Sequence, residues 1–410
     1  MVRTLFQGGQ LFDGTGSGMA PADVVVEDGK IIEVGNGLDG DQVVDCTGKA
    51  LLPGLFDCHV HVTSSGVDTM RRLTRPFSYQ FYEAEANLKA TLDLGITTIR
   101  DASGADLGVQ QAVEDGLIAG PRMQISVTAI SQTGGHGDGW LPSGINLDGK
   151  VSYPGRPSGI VDGPEEMRKK VREIIRSGGN VIKVFTSGGV LSPRDNPRHG
   201  HFRDDELQVL VAEANAAGIF VMAHAQASDG IKAAIRAGIR SIEHGVYLDD
   251  EAIEMMLAKG TWLVPTLIAP ISVVESFDQG ASLQPAVIAK ARELLLVHQD
   301  SFARAVKAGV KIAMGTDSGV GAHGTNLREL ALMEAGGMDP GSVLVATTHS
   351  AAQLMGLEGE LGTVEPGKRA DLVVVDGDPF DFSRLKENVS AVYKDGVLVS
   401  VGQQRMVKDA

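Results

Sequence analysis

The sequence predicts an α/β fold: a (β/α)8 TIM barrel carrying a small β-sandwich built from both ends of the chain. Three observations carry this expectation. Apolar runs of strand length alternate with helical segments through the middle. The two ends share a hairpin grammar that the middle lacks, and unusual polar residues recur where the middle runs stop. Repeated β–α alternation implies a parallel sheet, and eight units in about 300 residues suit a barrel.

The ends come first. Residues 23–35, DVVVEDGKIIEVG, place two apolar strands on either side of Asp28-Gly29, a strong hairpin signal. Near the finish, DLVVVDGDP and AVYKDGVLV repeat the pattern, with Asp395-Gly396 as the second turn. Strands from both termini pair most simply in one small domain. The expected division therefore gives 1–56 and 358–410 to the sandwich and 57–357 to the barrel.

In the middle, strands are expected at 56–61, 96–102, 122–130, 180–187, 219–225, 240–245, 261–267 and 310–317. Between them, PEEMRKKVREIIRSGG has Pro164 where a first helical turn tolerates it and Gly178 where a helix end favours it. DELQVLVAEANAAG and DDEAIEMMLAKG show helical spacing and stop at Gly218 and Gly260. A doubly wound open sheet is the alternative, but no GxGxxG follows the first strand.

Composition narrows the function. The 410 residues are 43% hydrophobic and 22% charged, ordinary values for a globular protein. With 37 basic and 52 acidic residues the net charge is −15, which disfavours nucleic acid and anionic membranes as partners. No apolar window approaches the roughly 20 residues of a membrane span, and MVRTLFQGGQLFDG lacks the apolar core of a signal peptide. Cys46 and Cys58 are too few for a disulfide framework. A cytoplasmic protein is expected.

The chemistry lies at the strand ends. In LLPGLFDCHVH, residues 51–61, alternate positions of a strand share a face, so His59 and His61 point the same way at the end of an apolar run. Lys183 lies within the fourth run, His224 and His244 near the ends of the fifth and sixth, and Asp317 at the end of the eighth. All fall at carboxyl-side strand ends, where barrel enzymes keep their chemistry. A lone histidine in such a strand is commonly a hydrogen-bonded core residue, and Asp317 alone could cap a helix. Six such residues on five strands are hard to explain by packing. Lys183 in particular sits between Ile182 and Val184, where a buried ammonium needs a partner or a chemical modification.

With these motifs the chain resembles the amidohydrolase superfamily over nearly its whole length. The resemblance rests on PGLFDCHVH, IKVFTSGG, AHA, EHG and GTDSG, and on EPGKRADLVVVDGDP near the end. SQTGGHGDGW (131–140) and GGVLSP (188–193) are similar to the branch holding the binuclear prolidase-like and Xaa-Arg dipeptidases, with imidazolonepropionase more distant. The resemblance implies two divalent metal ions, zinc foremost. His59 and His61 would hold the more buried ion, and His224 and His244 the more exposed one. Carboxylated Lys183 would bridge them, and Asp317 would serve as ligand and proton shuttle. A metal-bridging hydroxide would then attack the amide bond of a dipeptide or N-acyl amino acid. His136, in a glycine-rich loop after the third strand, would donate to the developing oxyanion. Relatives imply a homo-oligomer.

Substrate contacts are sought in PRDNPRHGHF (193–202), which offers Arg194, Arg198, His199 and His201. An arginine there suits a bidentate pair with a substrate α-carboxylate. A solvated loop is the other reading. Several dipeptidases of the branch carry a tyrosine where this chain has Phe202, which puts dipeptide specificity in question. Trp140 is a candidate pocket residue and Trp262 a core one. Deamination is disfavoured by Ala227, where aromatic deaminases place a glutamate, and by the presence of Lys183. A lactonase or a cyclic-amide, carbamate or aryl-amide hydrolase would use the same six residues. A non-catalytic binding protein on this scaffold is the reading from another class.

Overall fold

The computed structural model describes residues 2–141, 143–146, 152–192 and 194–402. The tail 403–410 of the expected sandwich, and Pro193 of the candidate substrate loop, lie outside the described residues. The strands in chain order are β1 (Thr4–Phe12), β2 (Met19–Glu27), β3 (Lys30–Gly35), β4 (Gln42–Asp45), β5 (Lys49–Pro53), β6 (Leu55–Val60), β7 (Ile96–Asp101) and β8 (Arg122–Ile125). They continue with β9 (Ala129–Ile130), β10 (Val181–Phe185), β11 (Phe220–Ala225), β12 (Ser241–His244), β13 (Trp262–Val264), β14 (Leu372–Asp376), β15 (Val389–Lys394) and β16 (Val397–Val401).

Both ends of the chain meet in one sheet of order β16-β15-β14-β5-β1-β2-β3, with β4 also on β1. The sheet branches because the first half of β1 pairs with β4 and the second half with β5. One face closes over a core in which Phe6, Val24 and Leu51 pack with Leu372, Val374 and Tyr393, while Leu52, Val373 and Val375 on the other face join the large core of the middle segment. Both aspartate–glycine turns form. Asp28 and Gly29 take φ of 50° and 76°, and Asp395 and Gly396 take 50° and 72°, the doubly positive pattern of a tight hairpin. The two turns touch: a Cβ on Gly29 would stand 3.3 Å from Asp395 O.

The middle strands form two parallel sheets, β13-β12-β11-β10-β9 and β6-β7-β8. Two differences from the sequence reading appear here. The third run, 122–130, breaks into β8 and β9 because Val127 turns left-handed at φ 62°, a conformation that a β-branched residue adopts only under constraint. The eighth run, 310–317, forms no named strand, yet its backbone bonds to both neighbours. Leu263 N–H donates to Lys311 O at 2.8 Å, and Cys58 N–H to Met314 O at 2.9 Å. Asp317 N–H donates to His59 O at 2.7 Å. On the other seam Asn180 N–H reaches Ile125 O at 3.0 Å.

Helices cover these sheets as their patterns dictate. Helix Pro164–Arg176 buries Met167, Val171 and Ile174, one stripe of a 3.6-residue period. Helix Asp250–Lys259 is capped by the Asp249 side chain and ends on Gly260 at φ 66°, where a left-handed residue favours glycine. Helix Pro285–Ala308 is the longest described and brings Lys290, Leu294 and His298 toward the strand ends. No described helix is long and apolar enough to cross a membrane.

Candidate metal centre

At the end of β6, His59 is held from behind by charge. Its Nδ1–H donates to Glu243 Oε2 at 2.7 Å. Glu243 in turn accepts from Arg100 Nη2 at 3.0 Å, and Arg100 Nε donates to Cys58 O at 2.7 Å. All three side chains are buried. With Nδ1 committed, Nε2 of His59 is left to face inward.

The other imidazoles follow the same logic. His61 Nδ1–H donates to Ser103 O at 2.9 Å, and His224 Nε2–H to Gly188 O at 3.0 Å. A carbonyl only accepts, so these tautomers are forced. His244 Nδ1 pairs with Thr266 Oγ1 at 2.7 Å. Each ring thus has one nitrogen anchored and one available. His224 is set apart because its available nitrogen is Nδ1.

The available atoms converge. Asp317 Oδ1 stands 3.1 Å from His61 Nε2 and 3.5 Å from His59 Nε2, and Lys183 Nζ is 3.4 Å from His59 Nε2. Ligand atoms of His59, His244 and Asp317 lie within 4.8 Å of one another. The His224 and His244 rings are 4.7 Å apart. The structure therefore gathers all six strand-end residues into one cluster. Two of them sit on strained backbone: His244 at φ 73° and Asp317 at φ 59°. Such conformations cost about 1–3 kcal/mol each and persist where the surroundings over-determine them.

The electrostatics suit a cation. Burial pushes the His59, His224 and His244 imidazoles well below their ordinary pKa, so they are neutral lone-pair donors. Burial works against ionisation of Asp317, but His59, His61 and Lys183 hold it below the usual carboxylate value. Its Oδ1 is buried and has no well-aligned hydrogen-bond donor among the described residues. A buried carboxylate oxygen in that condition is costly. Neutral imidazoles around an orphaned anionic oxygen fit a divalent metal.

A cleft of about 470 Å³ opens onto the cluster. His136, Gln226 and Asp317 line its polar side, and Val190, Val273 and Leu294 belong to its apolar wall. His136 stacks on His224 with centroids 4.4 Å apart and planes at 12°. The remaining loop candidates are not gathered in. Arg198 pairs with Glu293 at 2.6 Å and lies over the Tyr247 ring. Arg194 sits 5.7 Å from the exposed Trp140 ring, and His201 is buried outside the cleft lining. Phe202 is buried at φ 62°. Trp262 is core, with the Lys311 ammonium 5.4 Å from its ring.

Sequence reasoning did not single out Glu243, Arg100 or Thr266. The first two had a signal, because each is a charge inside a strand-like run. Thr266 had none.

A family model for the amidohydrolase family matches residues 50–399. The chain belongs to that family. This amidohydrolase is 36% identical to the ochratoxinase of Aspergillus niger, over 96% of this chain and 86% of that protein. It is 26% identical to the imidazolonepropionase of Geobacillus sp. (strain WCH70), over 86% and 83% of the two chains. A solved structure of a Xaa-Pro dipeptidase with methionine bound in its active site matches at TM-score 0.90 and 32% identity, covering 98% of this chain and 100% of that one. Family, relatives and the His/Asp cluster together support metal-dependent amide hydrolysis.

Proposed function

We propose that this amidohydrolase is a binuclear metal hydrolase on a (β/α)8 barrel, cleaving the amide bond of a dipeptide or N-acyl amino acid. The observation that carries the reading is the buried, donor-less Asp317 Oδ1 among inward-facing histidine nitrogens. His59 and His61 would hold one ion with Asp317, and His224 and His244 the other. Zinc suits this donor set. The Lys183 ε-amine, by adding carbon dioxide and releasing a proton, would become a carbamate whose oxygens serve both ions.

Divalent ions held there supply a Lewis acid and a water that is nucleophilic at neutral pH. Asp317 accepts the proton of the attacking water and delivers it to the departing nitrogen, base and then acid in one group. His136 lines the cleft and donates to the substrate oxygen as negative charge develops. The apolar wall takes a substrate side chain and excludes water.

That wall also favours a second reading, an aryl-amide or carbamate hydrolase. Among the described residues that line the cleft there is no arginine or lysine to pair with an α-carboxylate. A screen of dipeptides, N-acyl amino acids, aryl amides, carbamates and lactones with zinc-loaded protein decides between them. Release of a free amino acid, lost in Asp317→Asn, supports the first reading. Turnover of carboxylate-free amides or carbamates alone supports the second, and lactone turnover alone overturns both.

A further inference from the structure

We infer that Asp195 is a positioning residue for His136, acting directly and through the Ser192 hydroxyl on a loop that Lys290 pins in place. The inference rests on the reading of His136 as the group that meets the substrate oxygen. It concerns a carboxylate, a hydroxyl and an ammonium that bring no atom to the metal cluster.

The hydrogen-bond directions settle the arrangement. His136 Nδ1 is 2.6 Å from Ser192 Oγ and 3.3 Å from Asp195 Oδ2. The Ser192 hydroxyl has one proton and two oxygen acceptors for it, Asp195 Oδ1 and Gly189 O. A carboxylate and a carbonyl cannot donate back. The hydroxyl proton therefore goes to one of them, and Ser192 Oγ accepts from His136. Asp195 Oδ2 is an acceptor too, so both neighbours of Nδ1 demand a proton on it. That leaves Nε2 for the cleft that His136 lines.

The carboxylate is itself fixed. Asp195 is buried to 4% side-chain exposure, and its Oδ2 also accepts from Gly189 N at 3.1 Å. Lys290, reaching in from helix Pro285–Ala308, donates to Gly189 O at 2.8 Å, Ser192 O at 2.6 Å and Asp195 O at 3.3 Å. One ammonium thus ties three carbonyls of the loop, and its Nζ is 3.6 Å from Asp195 Oδ1. The ring has no room to turn. Phe185 packs on its edge at 5.0 Å, His224 on its face at 4.4 Å, and a Cβ on Gly189 would fall 2.3 Å from His136 Cε1. The same loop offers Gly188 O to His224 Nε2, so it sets the facing surfaces of both stacked rings.

Asp195→Asn tests the inference by removing the charge that holds the proton on Nδ1. Gly189 N–H still requires an oxygen, so the new amide oxygen turns toward it and the amide nitrogen faces Ser192. Ser192 Oγ then accepts from that nitrogen and its own proton has Gly189 O and His136 Nδ1 as acceptors, so the ring proton is held on Nδ1 by a neutral amide oxygen in place of a carboxylate. In zinc-loaded protein labelled with 15N-histidine, the His136 ring nitrogens are assigned by their loss in His136→Asn. The wild type should show a fully protonated Nδ1, and Asp195→Asn an Nδ1 signal shifted toward the unprotonated form. Turnover should fall about 10–100-fold, the usual cost of losing an orienting partner, with KM moving less than about threefold.

An unprotonated Nδ1 in the wild type overturns the inference. So does an Asp195→Asn variant whose His136 nitrogen signals match those of the wild type. If that variant does not fold, the wild-type signal alone decides, because a bare Nδ1 is incompatible with the donor order above and a protonated one supports it. The nitrogen signature needs no substrate, so failure of every amide in the screen would sink the proposed reaction and leave this result standing.

Discussion

His59 Nδ1 and Glu243 Oε2 stand 2.7 Å apart at the centre of the fold, both side chains buried, with Arg100 closing the far side of the carboxylate. The contact joins β6 to β12 across the sheets and fixes which nitrogen of His59 faces Asp317. Glu243→Gln keeps the shape and removes the charge. Affinity for zinc should drop about 10–100-fold, as for other partners of metal-binding histidines. The buried Arg100 loses its counter-charge, which should cost about 3–5 kcal/mol of stability. Chelator competition reads the first effect and urea unfolding of metal-free protein the second.

Lys183 is 1% exposed. If its place in the cluster is to hold metal as a carbamate, Lys183→Met should abolish tight binding of at least one ion. The metal-free protein should lose no stability, because the methionine removes a buried ionisable group and fills a similar volume. Elemental analysis after dialysis, paired with thermal unfolding of metal-free protein, checks both halves. A variant that binds metal as the wild type does would remove Lys183 from the site.

Gly189 packs its backbone against the face of His136, where a Cβ would lie 2.3 Å from Cε1. Gly189→Ala should displace the ring by about 1 Å and lower turnover about 100-fold, the scale of such a misplacement in a catalytic group. His224 stacks on the other side of His136, so a push passed on to it would lower metal content as well. Kinetics and metal analysis on one preparation separate the two.

Burial lowers His201 from 6.5 to about 4. Between those values the unfolded chain binds a proton that the folded one does not, so stability is complete above pH 6.5 and is lost as pH falls toward 4. The full loss from this residue is about 3 kcal/mol. His201→Leu should flatten the acid side of the stability curve by that amount. Urea unfolding of metal-free wild type and variant at pH 7 and 4.5 compares them directly, and equal pH dependence would show that His201 does not titrate in this window.

How much of this could be read beforehand follows from the range of the interactions. The alternation in FDCHVH is local, so His59 and His61 on one face could be read from two residues. Asp28-Gly29 and Asp395-Gly396 carry their turn geometry in their own backbone preferences. The break at Val127 could not be read that way, since its left-handed backbone answers to constraints outside the run RMQISVTAI. The arginines of 193–202 looked like carboxylate binders because a sequence does not show Glu293 arriving from a distant helix to pair with Arg198. Asp195 went unnoticed for the same reason: its partners His136 and Lys290 lie far along the chain. The charges at Arg100 and Glu243 were visible as anomalies in apolar runs, but their mutual contact was not.

The most direct test of the central claim is the amount of metal per chain in protein purified without chelator and dialysed against metal-free buffer. A binuclear centre predicts about two equivalents of a divalent ion, falling in Asp317→Asn and Lys183→Met. One equivalent in the wild type, unaffected by loss of Lys183, would contradict the bridging assignment. No retained metal at all would contradict the account of the cluster as a metal site.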